Sequence, residues 1–263
     1  MTPLTREQLD VLCDIAAQAG REIMDVYGGP VEAWEKADAS PLTQADLRAD
    51  AVIRGRLESD FPGVFILSEE SVSAKAADTR TFFLVDPLDG TREFLKRNGE
   101  FTVNIALIEE GSAVAGVVLA PALGEMFHAA RGLGAWEGTG PDARRLQTHS
   151  PDAARPLRVI GSRSHGADAL AQWLERLGRP HEFVAAGSSL KFCRIAQGAA
   201  DIYPRHGPTS QWDTAAGHAV LQVAGGAVLG PDGQPLRYGV ERPVLNPWFV
   251  AVGDPALVYP AIG

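Results

Sequence analysis

The stretch Phe82-Phe83-Leu84-Val85-Asp86-Pro87-Leu88-Asp89-Gly90-Thr91 decides how this chain of 263 residues is interpreted. Its four leading apolar residues have the length and composition of a buried strand. Two carboxylates follow three positions apart, around a proline that fixes φ and predicts a turn. The Leu88 carbonyl can face the same centre as both carboxylates, and the Gly90 and Thr91 backbone N–H groups suit a phosphate. The stretch therefore predicts a strand that ends at a cation and phosphate site.

Three other segments place a carboxylate at a strand end or a helix start. Asp46 lies in a helix predicted over 43–58, Glu69 follows the apolar run 64–67, and Asp213 begins a helix predicted over 213–224. Taken alone, Asp46 and Asp213 also fit helix caps, and Glu69 fits a solvated strand end. Hard cations such as Mg²⁺ prefer oxygen ligands, so acids that converge from separate elements predict a magnesium site.

Composition narrows the class of protein. The 24 Lys and Arg against 33 Asp and Glu give a net charge of −9. Because the sequence also contains no long run of basic residues, we expect no nucleic-acid partner. Cys13 and Cys193 predict neither a disulfide framework nor a zinc site. With no signal-peptide pattern and no 18-residue apolar stretch, we expect a cytoplasmic protein without integral membrane association. Peripheral association with the inner face of a membrane stays open, as does the choice between monomer and homodimer.

Periodicity predicts two kinds of architecture along the chain. A first helix carries a Thr5–Gln8 capping box, and 102–130 has the alternation of an antiparallel meander. From 157 onward strands and helices alternate, which is typical of an α/β half. The predicted division is an N-terminal α+β subdomain with most of the candidate metal ligands (1–137), a connecting segment (138–156) and a C-terminal α/β subdomain (157–263).

Two segments carry a family resemblance. Asp86-Pro87-Leu88-Asp89-Gly90-Thr91 together with Trp212-Asp213-Thr214-Ala215-Ala216-Gly217 resembles the signature motifs of the inositol monophosphatase superfamily of Mg²⁺-dependent, Li⁺-sensitive phosphatases. Further segments are similar to its bacterial 3′(2′),5′-bisphosphate nucleotidases: Lys36-Ala37-Asp38-Ala39-Ser40-Pro41, Leu67-Ser68-Glu69-Glu70 and Gly187-Ser188-Ser189-Leu190-Lys191. The likeness runs from about Leu9 to Phe249. It implies an αβαβα layered sandwich of α+β and α/β parts, with the site between two subdomains.

The resemblance also implies a role for individual residues. Two to three Mg²⁺ ions, with Li⁺ as an inhibitor, would be held by Glu69, Asp86, the Leu88 carbonyl, Asp89 and Asp213. Such ions lower the pKa of bound water and stabilise a leaving oxygen. Asp46 and Thr91 would orient the attacking water. The substrate would contact Glu69, Leu88, Asp89, Gly90, Thr91, His165, Ser188, Lys191, Arg205 and Asp213.

The substrate expectation depends on the second half of the chain. Lys191 and Arg205 are cations in an otherwise small and apolar region, and a bisphosphate needs positive groups for the phosphate that is not cleaved. The resemblance then implies hydrolysis of adenosine 3′,5′-bisphosphate to AMP and phosphate, with 3′-phosphoadenylyl sulfate as a further substrate, in sulfur assimilation. An inositol or sugar monophosphatase is the nearest alternative, and a non-catalytic nucleotide or metal sensor is the alternative of another class.

Overall fold

The fold is taken from a computed structural model that describes residues 4–35, 41–71, 79–162 and 167–262. Its helices are α1 (Arg6–Tyr27), α2 (Gln44–Asp60), α3 (Thr91–Leu95), α4 (Ala167–Leu177), α5 (Leu190–Ala196) and α6 (Gln211–Val223). Its strands are β1 (Ala33–Glu35), β2 (Pro41–Thr43), β3 (Phe65–Ser68), β4 (Thr81–Asp89), β5 (Thr102–Glu109), β6 (Ser112–Ala120), β7 (Glu125–Ala130), β8 (Gly134–Glu137), β9 (Arg144–Leu146), β10 (Leu157–Gly161), β11 (His181–Ala185), β12 (Ile202–Arg205), β13 (Ala227–Leu229) and β14 (Phe249–Val252). A short 3₁₀ helix spans Gly140–Asp142.

Helix α1 begins where its capping signal predicts. The Thr5 hydroxyl accepts the Gln8 N–H at 3.2 Å, and the Gln8 side chain accepts the Thr5 N–H at 3.0 Å. This reciprocal pair satisfies two N–H groups that have no partner within the helix. One face of the helix, from Leu9 to Ile23, is buried against the sheet.

The first sheet has seven strands in the order β3-β4-β5-β6-β7-β8-β9, and of these neighbours only β3 and β4 are parallel. The predicted meander over 102–130 is confirmed, and β8 and β9 extend it. Strand β9 lies within 138–156, the predicted connecting segment, and forms the edge of this sheet. The division into two subdomains stays a prediction.

Strand β4 is central and is buried on both faces. Phe82 and Leu84 enter the core between the two sheets, whereas Phe83 and Val85 enter the core under α1 and α2. This alternation explains why the sequence shows a continuous apolar run.

The turn predicted at Asp86-Pro87-Leu88-Asp89 is instead a bulge inside β4. Asp86 pairs with Asn104 and Asp89 pairs with Thr102, so β4 carries one residue more than β5 between these pairs. Proline cannot donate to the ladder and is tolerated at such a bulge. Leu88 consequently joins Phe83 and Val85 in the core under α1.

The second sheet has five strands in the order β11-β10-β12-β14-β13. Strand β10 is parallel to β11 and β12, while β14 is antiparallel to both of its neighbours. Strands β10, β11 and β12 fall in the region where the sequence predicts alternating strands and helices, whereas β13 and β14 were not predicted. Mixed sheets of this kind often carry antiparallel strands at one side.

The three hydrophobic cores show how the helices and sheets are stacked in layers. Helices α1 and α2 cover one face of the seven-stranded sheet, and α5 and α6 fill the space between the two sheets. Helix α4 covers the outer face of the five-stranded sheet through Trp173. The order is therefore αβαβα, as predicted. No helix in the described ranges has the length and apolar character needed to cross a bilayer.

The contact between β6 and α6 generates a first prediction. A Cβ added to Gly116 would lie 2.4 Å from the Ala216 carbonyl oxygen, so the backbones approach too closely for a side chain. We expect Gly116→Ala to lower the free energy of unfolding by roughly 1–3 kcal/mol, measured by urea denaturation.

A matched control is Gly55→Ala in α2, where a Cβ meets nothing within 4 Å. An alanine there should raise stability by up to about 1 kcal/mol because glycine is a poor helix former. Equal effects of the two substitutions would contradict the close approach of β6 and α6.

Candidate active site

Nearly all of the predicted site residues lie around one cavity of about 380 Å³. The predicted residues that line it are Glu69, Asp86, Leu88, Asp89, Gly90, Thr91, Ser188, Lys191, Arg205 and Asp213. Asp46 lies behind the wall, in hydrogen-bond contact with Thr91. His165, and the residues Lys36 to Ser40 of the resemblance, lie outside the described residues.

The bulge in β4 decides where the two acids of the first motif point. Asp86 and Asp89 are an odd number of positions apart, so a regular strand would place them on opposite faces. The extra residue restores a common side, and both carboxylates line the same cavity.

Gly90 lies in close contact with Ser188, which comes from the second half of the chain. Its φ of 90° is left-handed, and a Cβ there would lie 2.2 Å from the Ser188 hydroxyl oxygen. That hydroxyl lies 2.9 Å from the Asp89 and Glu100 carbonyl oxygens, to which it donates. Ser188 itself has a positive φ of 46°, which is not helical, and α5 begins two residues later, at Leu190.

Asp89 is hydrogen-bonded by Ser189 and Asn104, which the sequence does not predict as site residues. Its Oδ2 accepts from the Ser189 N–H at 2.8 Å and lies 3.1 Å from the Ser189 hydroxyl and 3.4 Å from Asn104 Nδ2. The Ser189 hydroxyl also lies 2.6 Å from the Asp213 carbonyl oxygen. Ser189 thus links the acid of the first motif to the helix that carries the second. Its place beside Ser188 in a glycine-serine segment was the available signal.

Asp46 performs two tasks at once. One carboxylate oxygen accepts from the Thr43 N–H at 2.7 Å and the Thr43 hydroxyl at 2.6 Å, which caps α2. The other lies 3.3 Å from the Thr91 hydroxyl, which is 3.4 Å from the Leu88 carbonyl oxygen. The ordinary reading as a cap and the reading as a partner of Thr91 are therefore both consistent with the geometry.

Burial and mutual repulsion dominate the electrostatics of the acids. Burial raises the pKa of Asp86 well above its usual range, and the carboxylates of Glu69 and Asp89 raise it further. Burial also raises the pKa of Asp213 to about 8, with a further rise from Asp89. The pKa of Asp89 is raised by burial too, although Lys191 and the Ser189 hydrogen bonds oppose this. A nearby positive charge would stabilise the charged form of each of these acids.

The residues present fit a hard cation. No His or Cys side chain of the described ranges lines the cavity, and its carboxylates and carbonyls offer oxygen. Oxygen-only donor sets favour Mg²⁺ over zinc. Within the described part of the chain, no three His, Cys, Asp or Glu side chains form a ready-made metal cluster. The ligand set named from the sequence therefore stays a prediction.

Three cations, Lys191, Arg205 and Arg92, line the same cavity as the acids. Lys191 Nζ donates to the Ser188 carbonyl at 2.6 Å and lies 5.4 Å from the Tyr203 ring centroid. Burial lowers the pKa of Lys191 to about 8, although Asp89 opposes the shift. Arg205 Nη2 donates to the Pro208 carbonyl at 2.9 Å, and Arg92 is a further cation on the wall.

A second cavity, of about 630 Å³, lies between α1 and the strands β7 and β8. Its wall includes Asp10, His128 and Trp136. Among the described residues, none of those predicted for the site lines this second cavity, and those that line a cavity all line the smaller one.

Comparison with known proteins agrees with this geometry. A profile of the Inositol monophosphatase family matches residues 5–254. The chain belongs to the inositol monophosphatase family. Two relatives are each named 3′(2′),5′-bisphosphate nucleotidase CysQ. The protein from Salmonella typhimurium is 48% identical over 245 residues, and that from Escherichia coli K12 is 47% identical over the same length. Each alignment covers 92% of this chain and 98% of the relative.

A solved structure in the same family is similar throughout. It is described as CysQ from Bacteroides thetaiotaomicron, a bacterial member of the inositol monophosphatase family. It is 38% identical to this chain, with a TM-score of 0.79, and the match covers 94% of this chain and 97% of that one. The family fold predicted from the two motifs is confirmed.

The crowding of acids predicts a stability effect of Asp86→Asn. Asparagine keeps an acceptor for the Leu88 N–H, which lies 3.0 Å from Asp86 Oδ1, but removes one buried acid. In EDTA the variant should melt at a higher temperature than the native protein, because the cost of burying this acid is gone.

Mg²⁺ should raise the melting temperature of the native protein by about 5 °C when it is near a hundredfold above its Kd, and that of the variant by much less. Differential scanning fluorimetry in EDTA and in Mg²⁺ measures both. An equal rise in melting temperature in the two proteins would show that Asp86 is not a metal ligand.

Proposed function

We propose that this chain is a Mg²⁺-dependent 3′(2′),5′-bisphosphate nucleotidase that converts adenosine 3′,5′-bisphosphate and water to AMP and phosphate. The supporting observation is that a group of carboxylates and a group of cations line one cavity. A metal-dependent phosphatase needs the first, and the phosphate that is not cleaved needs the second. Relatives at 48% and 47% identity carry the name of this activity.

Each group of charged residues has a task in this proposal. Glu69, Asp86, the Leu88 carbonyl, Asp89 and Asp213 would hold Mg²⁺. When bound, the metal would supply a water of lowered pKa and would stabilise the leaving oxygen.

The Thr91 hydroxyl donates its hydrogen to Asp46, 3.3 Å away, which leaves its own lone pairs free to accept from the attacking water. The Gly90 and Thr91 backbone N–H groups would contact the phosphate that is cleaved. Asp46 and Thr91 are thus proposed to align water with phosphorus.

Lys191, Arg205 and Ser188 are proposed to line the nucleotide part of the cavity, with both cations toward the 5′-phosphate. The physiological role proposed is recycling of this by-product in sulfur assimilation, in the cytoplasm. 3′-Phosphoadenylyl sulfate presents the same 3′-phosphate and is proposed as a further substrate. Li⁺ is proposed to inhibit by competing for a metal position.

The test is phosphate release from adenosine 3′,5′-bisphosphate and from inositol 1-phosphate, side by side, with Mg²⁺, with EDTA and with added Li⁺. We expect a strong Mg²⁺-dependent preference for the nucleotide. Asp89→Asn, which keeps an acceptor for the Ser189 N–H, should abolish release from either substrate. Preference for inositol 1-phosphate would leave the metal site intact and refute the nucleotide assignment. No release from either substrate would favour a non-catalytic sensor.

The assignment of Lys191 has its own test. Lys191→Met keeps the apolar stem of this buried residue and removes its charge. We expect KM for adenosine 3′,5′-bisphosphate to rise about tenfold or more, because a charge-assisted hydrogen bond contributes roughly 1.5–3 kcal/mol. KM for inositol 1-phosphate should change little.

Lys96→Ala is the matched control, since Lys96 is exposed and does not line the cavity. Similar rises in KM for both substrates in Lys191→Met would exclude Lys191 as a ligand of the second phosphate.

A further inference from the structure

Leu245 is an exposed apolar side chain on the wall of the candidate active-site cavity. It is 59% exposed and lines the same cavity as Asp213 and Arg205. Pro208 lines the cavity as well and lies in an exposed position. Single exposed leucines are ordinary on protein surfaces, so exposure by itself indicates nothing. What distinguishes Leu245 is how its backbone is held.

The backbone around Leu245 is paired with the start of α6. Leu245 forms an isolated antiparallel bridge with Ser210. On either side, the Gln211 N–H donates to the Val244 carbonyl at 2.9 Å, and the Asn246 N–H donates to the Thr209 carbonyl at 2.8 Å. Ser210 caps the helix that carries Asp213, and its own N–H donates to the Asp213 carboxylate at 2.9 Å.

Two side chains reinforce this pairing. Asn246 Nδ2 lies 2.6 Å from the Ser210 carbonyl and 3.1 Å from the Thr214 hydroxyl. Gln211 is 2% exposed, donates to the Pro243 carbonyl at 2.9 Å and accepts from the Gly239 N–H at 2.8 Å. The segment 239–246 and the first turn of α6 therefore form one hydrogen-bonded unit. Leu245 is fixed relative to Asp213.

We propose that Leu245, with Pro208 beside it, is the surface on which the nucleobase of the substrate rests. A purine has a broad apolar face, and removing that face and an exposed leucine from water together is favourable. A pre-positioned apolar contact also avoids the cost of ordering a mobile loop. An inositol or simple sugar phosphate offers no such face, so this contact would select nucleotides among substrates that share the phosphate chemistry. The inference rests on the proposed function and deepens it.

The experiment compares two substrates that differ only in the base. Leu245→Ser and the native protein are assayed with Mg²⁺ on adenosine 3′,5′-bisphosphate and on its base-free analogue 1-deoxyribose 3,5-bisphosphate. We expect kcat/KM for the nucleotide to fall about tenfold, mainly through KM, as loss of one buried apolar contact predicts. For the base-free analogue, kcat/KM should stay within about twofold. Leu245→Met, of similar volume and apolar character, should restore most of the nucleotide activity.

Val258→Ser is the matched control, since Val258 is 86% exposed and does not line the cavity. Melting temperatures of all variants confirm that they are folded. Equal losses on both substrates, or no loss on either, would overturn the assignment of Leu245 and leave the proposed function standing. Failure of the native protein to hydrolyse adenosine 3′,5′-bisphosphate would overturn the proposed function itself, and this inference with it.

Discussion

The rest of the site depends on one unfavourable arrangement, the burial of several carboxylates around a single cavity. Asp86 and Asp213 lose hydration, which raises the pKa of each, and repulsion from neighbouring carboxylates raises both further. A fold can keep such groups together only if something else holds them in place. Here the backbone provides it: Asp86 accepts from Leu88, Asp213 from Ser210, and Asp89 from Ser189. These donors orient the acids but do not neutralise them. A bound metal ion would stabilise their negative charge.

Several contacts combine structural and chemical tasks. Asp46 and Asp213 are both the third residue of their helices and both complete a capping box. Each of these carboxylates therefore both caps its helix and takes part in the candidate site. This explains why each acid, judged alone, looks like an ordinary cap. The functional reading becomes stronger only when acids from separate elements are considered together.

Much of the fold was predictable because it depends on local pattern. The capping box of α1, the meander over 102–130 and the alternation in the second half all follow from periodicity and turn residues. The bulge in β4 was not predictable, because a proline between two acids fits a turn equally well until the partner strand is known. Strand β14 was missed because its pairing is with β12 and β13, distant in sequence from one another. Likewise, the contacts of Ser189 and the placement of Leu245 beside the cavity depend on tertiary structure. The glycine-serine segment around Ser189 does not show which carboxylate that serine contacts, and residue type alone gives no signal for Leu245.

The link through Ser189 has a consequence for how this family can vary. Its N–H and hydroxyl connect the end of β4, in the seven-stranded sheet, to the backbone of α6, beneath the other sheet. The spacing of the acids on these two elements is thus set by a contact between layers, whatever the interior of each layer contains. A substitution that repacks one core leaves this contact between the layers in place as long as the serine keeps its position. A hybrid chain that exchanged one half for that of a distant relative would need a matching residue at this position before its acids could share an ion.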